Sequence, residues 1–517
     1  MINNLYKRIL GLASNITKND NKYFNKDLIY ILNKIGIILI IISAGFVLTS
    51  RIFWLTESID FGSDQARDLN TVIDYISSGN LPQYGPITSR GFNIFPHYYY
   101  FLYLSVMFFG NSPLVHILIN SIFNVISLIL LIFLCGQIFY KSKYKLFILG
   151  IISTIYSFNR DLIWQANTMW NPNFLPLFLL ILITLLFKMI DISSNNIKVI
   201  KPSFIKYSLF CGAISSIMMG LHGSSFIILP IFTILIGVLF EKKLKNIFYI
   251  YNFIGWFILS ISYFFVEINN NFSNTIRFSY LILTNGKNYI DFNLFQRFVF
   301  LFHNAFYSWV DIITEVYLPK TLSTYIIFIS ILSFSGLIIS SKNNKKNKVL
   351  LILALVYILS SANLTGLSHL HFMYFAYLLP PIGVILLLER LQYQKVYSKV
   401  ILVFSIFIYI LSTQANYKDI DKYYNQKFND TYRSISFQDT TDILNFAKQN
   451  NISKICLFVL NKDIHSDSFE YIKKNILNLN LIIEINCLPK NNELLVIFKG
   501  NGSIEYPEDL IYLTLRM

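Results

Sequence analysis

The chain predicts an all-α polytopic membrane protein with a small extracytoplasmic α/β domain at its C-terminal end, and three observations predict it. Apolar runs of membrane length recur over roughly the first four hundred residues; a span needs about 20 apolar residues, each adding about 1.5 Å of helix. Only 14% of the 517 residues are charged and 54% are hydrophobic. A soluble domain carries about 25% charged residues, so this chain is short of polar surface to cover itself. The basic residues collect in short links between alternate apolar runs.

A hydrophobic-window reading draws about eleven spans, at about 29–53, 112–138, 145–159, 173–190, 204–221, 224–240, 246–266, 321–341, 348–366, 371–389 and 396–414. Lys7, Arg8, Lys18, Lys22 and Lys26 precede the first run, and Lys141 and Lys143 follow the second. Lys198 and Lys201 follow the fourth, residues 241–245 the sixth, residues 342–348 the eighth, and Arg390 and Lys395 the tenth. All of these fall on one side if the N-terminus is cytoplasmic, which predicts a multi-pass protein of a cytoplasmic (inner) membrane, of bacterial type. The first run starts too far into the chain for a cleavable signal peptide and reads as a retained signal anchor. The formal charge of +15 invites a nucleic-acid reading. Because that charge is spread over topology-determining links, nucleic acid is excluded as a partner.

Three units follow: a cytoplasmic segment at 1–28, a transmembrane domain at 29–414, and an extracytoplasmic domain at 415–517. The transmembrane unit carries two large outer loops, at about 56–111 and 267–320. In the tail, residues 454–460, 481–485 and 494–498 pattern as strands and residues 440–449 and 466–477 as helices, a small α/β unit. It has no phosphate-binding glycine loop, so a docking or substrate-guiding module is expected. The four cysteines show no metal-ligand spacing.

Chemistry needs shaped polar surface, and that is concentrated outside. Just past the first run lies Asp60-Phe61-Gly62-Ser63-Asp64-Gln65-Ala66-Arg67-Asp68. If residues 60–75 are helical, Asp60, Asp64 and Asp68 share a face, with Arg67 placed to pair with Asp64. Stacked carboxylates repel, and desolvation beside the bilayer raises their pKa further, a tuning that suits a general base. The alternative is a solvated helix N-terminus, where acidic residues favour the dipole. The three carboxylates could hold a divalent cation but do not establish one. Further on, the aromatic rings of residues 95–101 suit an interfacial belt, and His97 lies at the depth of an anionic headgroup.

Asp64-Gln65-Ala66 in the first outer loop resembles the Asp-Glu-Ala type motif of the GT-C membrane glycosyltransferases, whose members include protein O-mannosyltransferase and lipid A aminoarabinose transferase relatives. Gly85-Pro86-Ile87-Thr88-Ser89 and Phe95-Pro96-His97-Tyr98-Tyr99 are similar to the loop those enzymes carry next. The similarity continues through Trp170-Asn171-Pro172, Gly220-Leu221-His222-Gly223, Ser368-His369-Leu370-His371 and Leu379-Pro380-Pro381. Gln65 departs from the second acidic residue of many members, and His369 and His371 stand where relatives often have an arginine. The resemblance implies a GT-C-like fold and inverting transfer of a sugar from a polyprenyl-phosphate donor to a protein, lipid or glycan acceptor on the outer leaflet. Asp64 would be the base, with Asp68 tuning it or holding Arg67. Arg67, Arg90, His97, His222 and His371 would meet the lipid phosphate, Arg90 and His371 being the preferred pair. A transporter or lipid-carrier flippase would place charge at mid-span, where these runs carry little. A polysaccharide polymerase or ligase would concentrate its site in the loop 267–320.

Overall fold

A computed structural model describes residues 21–53, 61–88, 91–193, 197–284, 309–310, 323–362, 378–392, 437–449, 452, 454–459, 466–475, 477, 482–485, 493–499 and 512–516. It is mostly helical. Helix α1 (Asn21–Leu48) passes into a π-helical turn at Thr49–Phe53, and α2 (Ser63–Ser77) and α3 (His97–Phe109) lie in the first predicted outer loop. Then come α4 (Pro113–Ile138), α5 (Lys145–Ser157) and the short α6 (Arg160–Ala166). A 3₁₀ turn at Asn171–Phe174 leads into α7 (Leu175–Ser193), followed by α8 (Ile197–Met219) and α9 (Ser225–Gly237). Next are α10 (Lys242–Asn269), α11 (Ser273–Thr284), α12 (Ser323–Ser341), α13 (Lys345–Ala362) and α14 (Leu379–Gln392).

Among the described residues four segments are long and apolar enough to cross a membrane: Ile29–Phe53, Pro113–Ile138, Asn171–Ser193 and Lys242–Asn269. Shorter apolar helices occupy Lys145–Ser157, Ser225–Gly237 and Ile329–Ser341. Helices thus occur at ten of the predicted runs, and the run at 396–414 lies outside the described residues.

The helices pack through small residues. Lipid tails are as apolar as leucine, so helices gain by close van der Waals approach rather than by hiding from water. A Cβ on Gly212 would collide with the Asn252 carbonyl, and one on Gly255 with the Leu209 carbonyl, so these two glycines set the α8–α10 contact. Gly36 with Gly150 does the same for α1 and α5, and Gly336 with Gly383 for α12 and α14.

In the tail, α15 (Phe437–Gln449), β1 (Lys454–Val459), α16 (Ser466–Asn475), β2 (Ile482–Ile485), β3 (Glu493–Lys499) and β4 (Tyr512–Arg516) follow in that order. The strands form one sheet in the order β2-β1-β3-β4. All three pairings are parallel, with Ile455 opposite both Ile483 and Leu494, and Leu495 opposite Tyr512. Strand β4 was not among the expected elements. Helix α16 lies against α2: the Tyr471 hydroxyl donates to the Asn111 carbonyl at 2.7 Å, Asn475 Nδ2 donates to Asn70 Oδ1 at 3.1 Å, and the Tyr471 ring meets Phe61 at 5.4 Å.

Candidate active site

Helix α2 carries the acidic motif because its first turn is closed locally. The Gly62 N–H donates to Gln65 Oε1 at 2.8 Å and the Ala66 N–H to the Gly62 carbonyl at 3.1 Å, half of a capping box. Ala66, Leu69 and Val72 form the buried face, at helical spacing. Gln65, the departure from the two-acid motif, is itself buried and committed to this cap as a neutral acceptor. Asp64 therefore stands in the first turn, where the dipole favours a carboxylate. The expected helix from residue 60 begins at Ser63, and Asp60 lies outside the described residues.

Arg67 bridges two carboxylates of different exposure. Its Nη1 donates to Asp64 Oδ1 at 2.8 Å, while Nε and Nη2 reach Asp68 Oδ1 at 3.0 and 2.8 Å. The Asp64 side chain is 49% exposed and that of Asp68 only 1%. The Tyr99 hydroxyl, delivered by α3, also donates to Asp68 Oδ1, at 3.0 Å. Asp68 Oδ2 and the Tyr98 hydroxyl are buried without a hydrogen-bond partner among the described residues.

Burial pushes the Asp68 carboxyl up to about 6, against the pull of Arg67 and the Tyr99 hydrogen bond. Burial also works against the charge on Arg67, but Asp68 and then Asp64 outweigh it and hold the guanidinium protonated. Tyr99 is raised by burial and by the neighbouring Asp68, so it stays a phenol donor.

Several of the other motif segments are joined to one another in the fold. In the loop after α2, the Gly85 N–H donates to the Ile94 carbonyl at 2.9 Å and Thr88 Oγ1 to the Phe92 carbonyl at 2.8 Å. Phe92 then packs on Phe226 and Phe278. Gly223 lies beneath Phe92 and Thr88, where a Cβ would come within 3.1 Å of the Phe92 ring. Asn171 Nδ2 donates to the Leu221 carbonyl at 2.6 Å, joining the Trp170-Asn171-Pro172 and Gly220–Gly223 segments. The loop is tied down by α10 and α11. Fully buried Glu267 accepts from the Tyr84 hydroxyl at 2.7 Å and from the Thr275 hydroxyl at 2.6 Å, and Asn274 exchanges two hydrogen bonds with the Asn93 backbone.

The expected phosphate cations fare differently. His97 is enclosed between helices: Nε2 faces the Leu259 carbonyl at 3.1 Å, and Gly220 is open just enough to seat its ring. Burial lowers it to about 4, against that hydrogen bond, so it is neutral near pH 7 and supplies packing rather than positive charge. His222 is likewise buried, its Nδ1 2.7 Å from Ser224 Oγ in the α8–α9 turn. Arg67 is shared by two carboxylates. Arg90, His369 and His371 lie outside the described residues.

Sequence reasoning missed Tyr99, for which helical spacing in an aromatic run offers no signal. It also missed Arg51, a fully buried guanidinium that donates to Asn124 Oδ1 at 2.6 Å and to the Ser157 carbonyl at 3.2 Å. An arginine closing a long apolar run was the available clue. Among the described residues no group of three or more His, Cys, Asp or Glu side chains is assembled for a metal, and the guanidinium of Arg67 already lies between Asp64 and Asp68.

No protein-family model and no curated protein matches the sequence. Among solved structures the chain is similar to the archaeal oligosaccharyltransferase AglB from Archaeoglobus fulgidus, in complex with an inhibitory peptide and a dolichol-phosphate. The identity is 10%, the TM-score 0.49, and the match covers 85% of this chain and 64% of that one, just under two thirds of its length. It is also similar to ArnT from Cupriavidus metallidurans bound to undecaprenyl phosphate, at 9% identity and TM-score 0.47 over 86% of this chain and 85% of that one. The apo state of ArnT gives 10% identity and TM-score 0.49 over 89% and 86%. At this level of likeness the functional reading stands on the chain's own residues.

Proposed function

We propose that this protein is a GT-C-type membrane glycosyltransferase that moves a sugar from a polyprenyl-phosphate donor to a hydroxyl acceptor on the outer face of a cytoplasmic membrane. The observation that carries the reading is the Asp64–Arg67–Asp68–Tyr99 cluster at the start of α2, which follows the first apolar run in the chain. In this reading Asp64 takes the proton of the acceptor hydroxyl. The acceptor oxygen attacks the anomeric carbon in line as the bond to the lipid phosphate oxygen breaks, inverting the centre. The freed phosphate carries the negative charge away. Asp68 fixes Arg67, and Arg67 orients Asp64 through the hydrogen bond at 2.8 Å. Arg90 and His371 remain the proposed acceptors of the phosphate charge.

The architecture that goes with it has about eleven spans within 29–414, a cytoplasmic segment at 1–28 and an outward-facing α/β domain at 415–517, the basic links facing in. The test is transfer of labelled sugar from polyprenyl phosphate in membranes. Asp64→Asn keeps the shape and removes the base, and transfer should fall by at least about a hundredfold, the usual scale of general-base catalysis. Full activity in that variant would exclude Asp64 as the base and direct attention to the loop 267–320.

A further inference from the structure

At the opposite end of the bundle from Asp64, the C-terminal turns of α4, α7, α12 and α14 and the first turn of α13 line an open cavity of about 920 Å³. Its charge is one-sided. Lys141, Lys188, Lys345, Lys346 and Arg390 line it, against only Asp191 and Glu389. Lys346 is paired with Asp191 at 2.8 Å, which leaves most of the other cations for an incoming anion. Phe133 and Leu386 form an apolar wall on the side toward the middle of the helices, and Phe133 is half-exposed. Deep in the lining, Asn347 is 5% exposed and its Oδ1 is buried with no hydrogen-bond partner among the described residues. A bare phosphate cannot fill that set, because it has no chain to lie along the apolar wall of Phe133 and Leu386. An anionic lipid with a hydroxylated headgroup supplies all three elements.

We propose that this cavity binds the phosphodiester headgroup of an anionic, hydroxyl-bearing membrane lipid, with the lysines on the phosphate, Asn347 on a headgroup hydroxyl and an acyl chain along Phe133. Basic recesses between helix ends on the cytoplasmic side are suited to such headgroups, each cation near the surface contributing about fivefold in affinity. The site is separate from Asp64 and does not depend on the transferase reading, since its test measures lipid retention alone.

The experiment uses the purified full chain in detergent, exchanged against phosphatidylglycerol or phosphatidylcholine, with retained lipid counted by native mass spectrometry. Phosphatidylglycerol should be retained preferentially. The triple variant Lys141→Gln, Lys188→Gln, Lys345→Gln should bind it at least about tenfold more weakly. The same three positions changed to arginine should restore binding, which separates charge loss from misfolding. Lys242→Gln, Lys243→Gln, Lys245→Gln, which alters charge on a different link, should leave retention unchanged. The proposal is overturned if the glutamine triple retains phosphatidylglycerol like the parent. It is equally overturned if millimolar inorganic phosphate displaces the lipid completely, which would make this a free-anion site.

Discussion

Of the two carboxylates that Arg67 bridges, Asp68 is the one the fold encloses, with its side chain 1% exposed. Its pKa in the folded chain, about 6, lies above the ordinary carboxylate value near 3.8 because burial outweighs Arg67. The folded state therefore holds this proton more tightly than the unfolded one. The resulting stabilisation is fully present below about pH 4 and is lost as pH rises through about 6. Replacing Asp68 with Asn removes the titration, so the fall in melting temperature between pH 4 and 6 should flatten; an unchanged slope would place the titration elsewhere. Transfer activity in Asp68→Asn should drop less than in Asp64→Asn, because Asp68 acts through Arg67 rather than on substrate. For the leaving group, Arg90→Ala or His371→Ala should weaken donor use by about 1.5–3 kcal/mol, the worth of a hydrogen bond to a charged group. Unchanged donor kinetics in both would show that other cations receive the phosphate.

At the scale of elements, the position of α2 is decided by its neighbours. Asn475 of α16 bonds Asn70 on one side, the Tyr471 ring meets Phe61 just before the helix, and Tyr99 of α3 grips Asp68 from another. Tyr471→Ala removes both the ring against Phe61 and the hydrogen bond to Asn111, so limited proteolysis should release the C-terminal part faster than in the parent. Equal release rates would mean that this contact does not hold the tail in place. The glycine contacts make a second case. Gly255→Val forces a side chain into the Leu209 backbone, and overpacking of this kind costs about 1–3 kcal/mol. A thermal-stability assay in detergent should show the loss, whereas Gly45→Ala, which meets nothing within 4 Å, should not.

For the whole molecule, the decisive expectation is its orientation. The cavity ringed by Lys141, Lys188 and Lys345 and the cluster around Asp64 lie at opposite ends of α4 and α7, so one faces the cytoplasm if the other faces out. Single cysteines introduced at Ser89 and Ser466 should react with a membrane-impermeant thiol reagent in intact cells, and one at Ser142 should not. Labelling at Ser142 without Ser89 would invert the chain and move the chemistry to the other leaflet.

The helical class and the order of the long apolar helices could be read from the chain, because the periods of apolar residues and the content of charge are local properties. Asp64, Arg67 and Asp68 were legible as a group for the same reason, since spacing along one helix sets which side chains meet. What spacing could not set was their burial. Tyr99 comes from another helix and Phe61 is covered by α16 from the far end of the chain, so only packing separates half-exposed Asp64 from enclosed Asp68. His97 shows the converse: the missing side chain of Gly220 opens a slot into which its ring packs, and the burial that lowers its pKa has no signature in the aromatic stretch around it. A residue's chemistry follows from its type and its neighbours along the chain. Its ionisation follows from how much water the tertiary contacts remove, and contacts between distant segments have no signature in either segment alone.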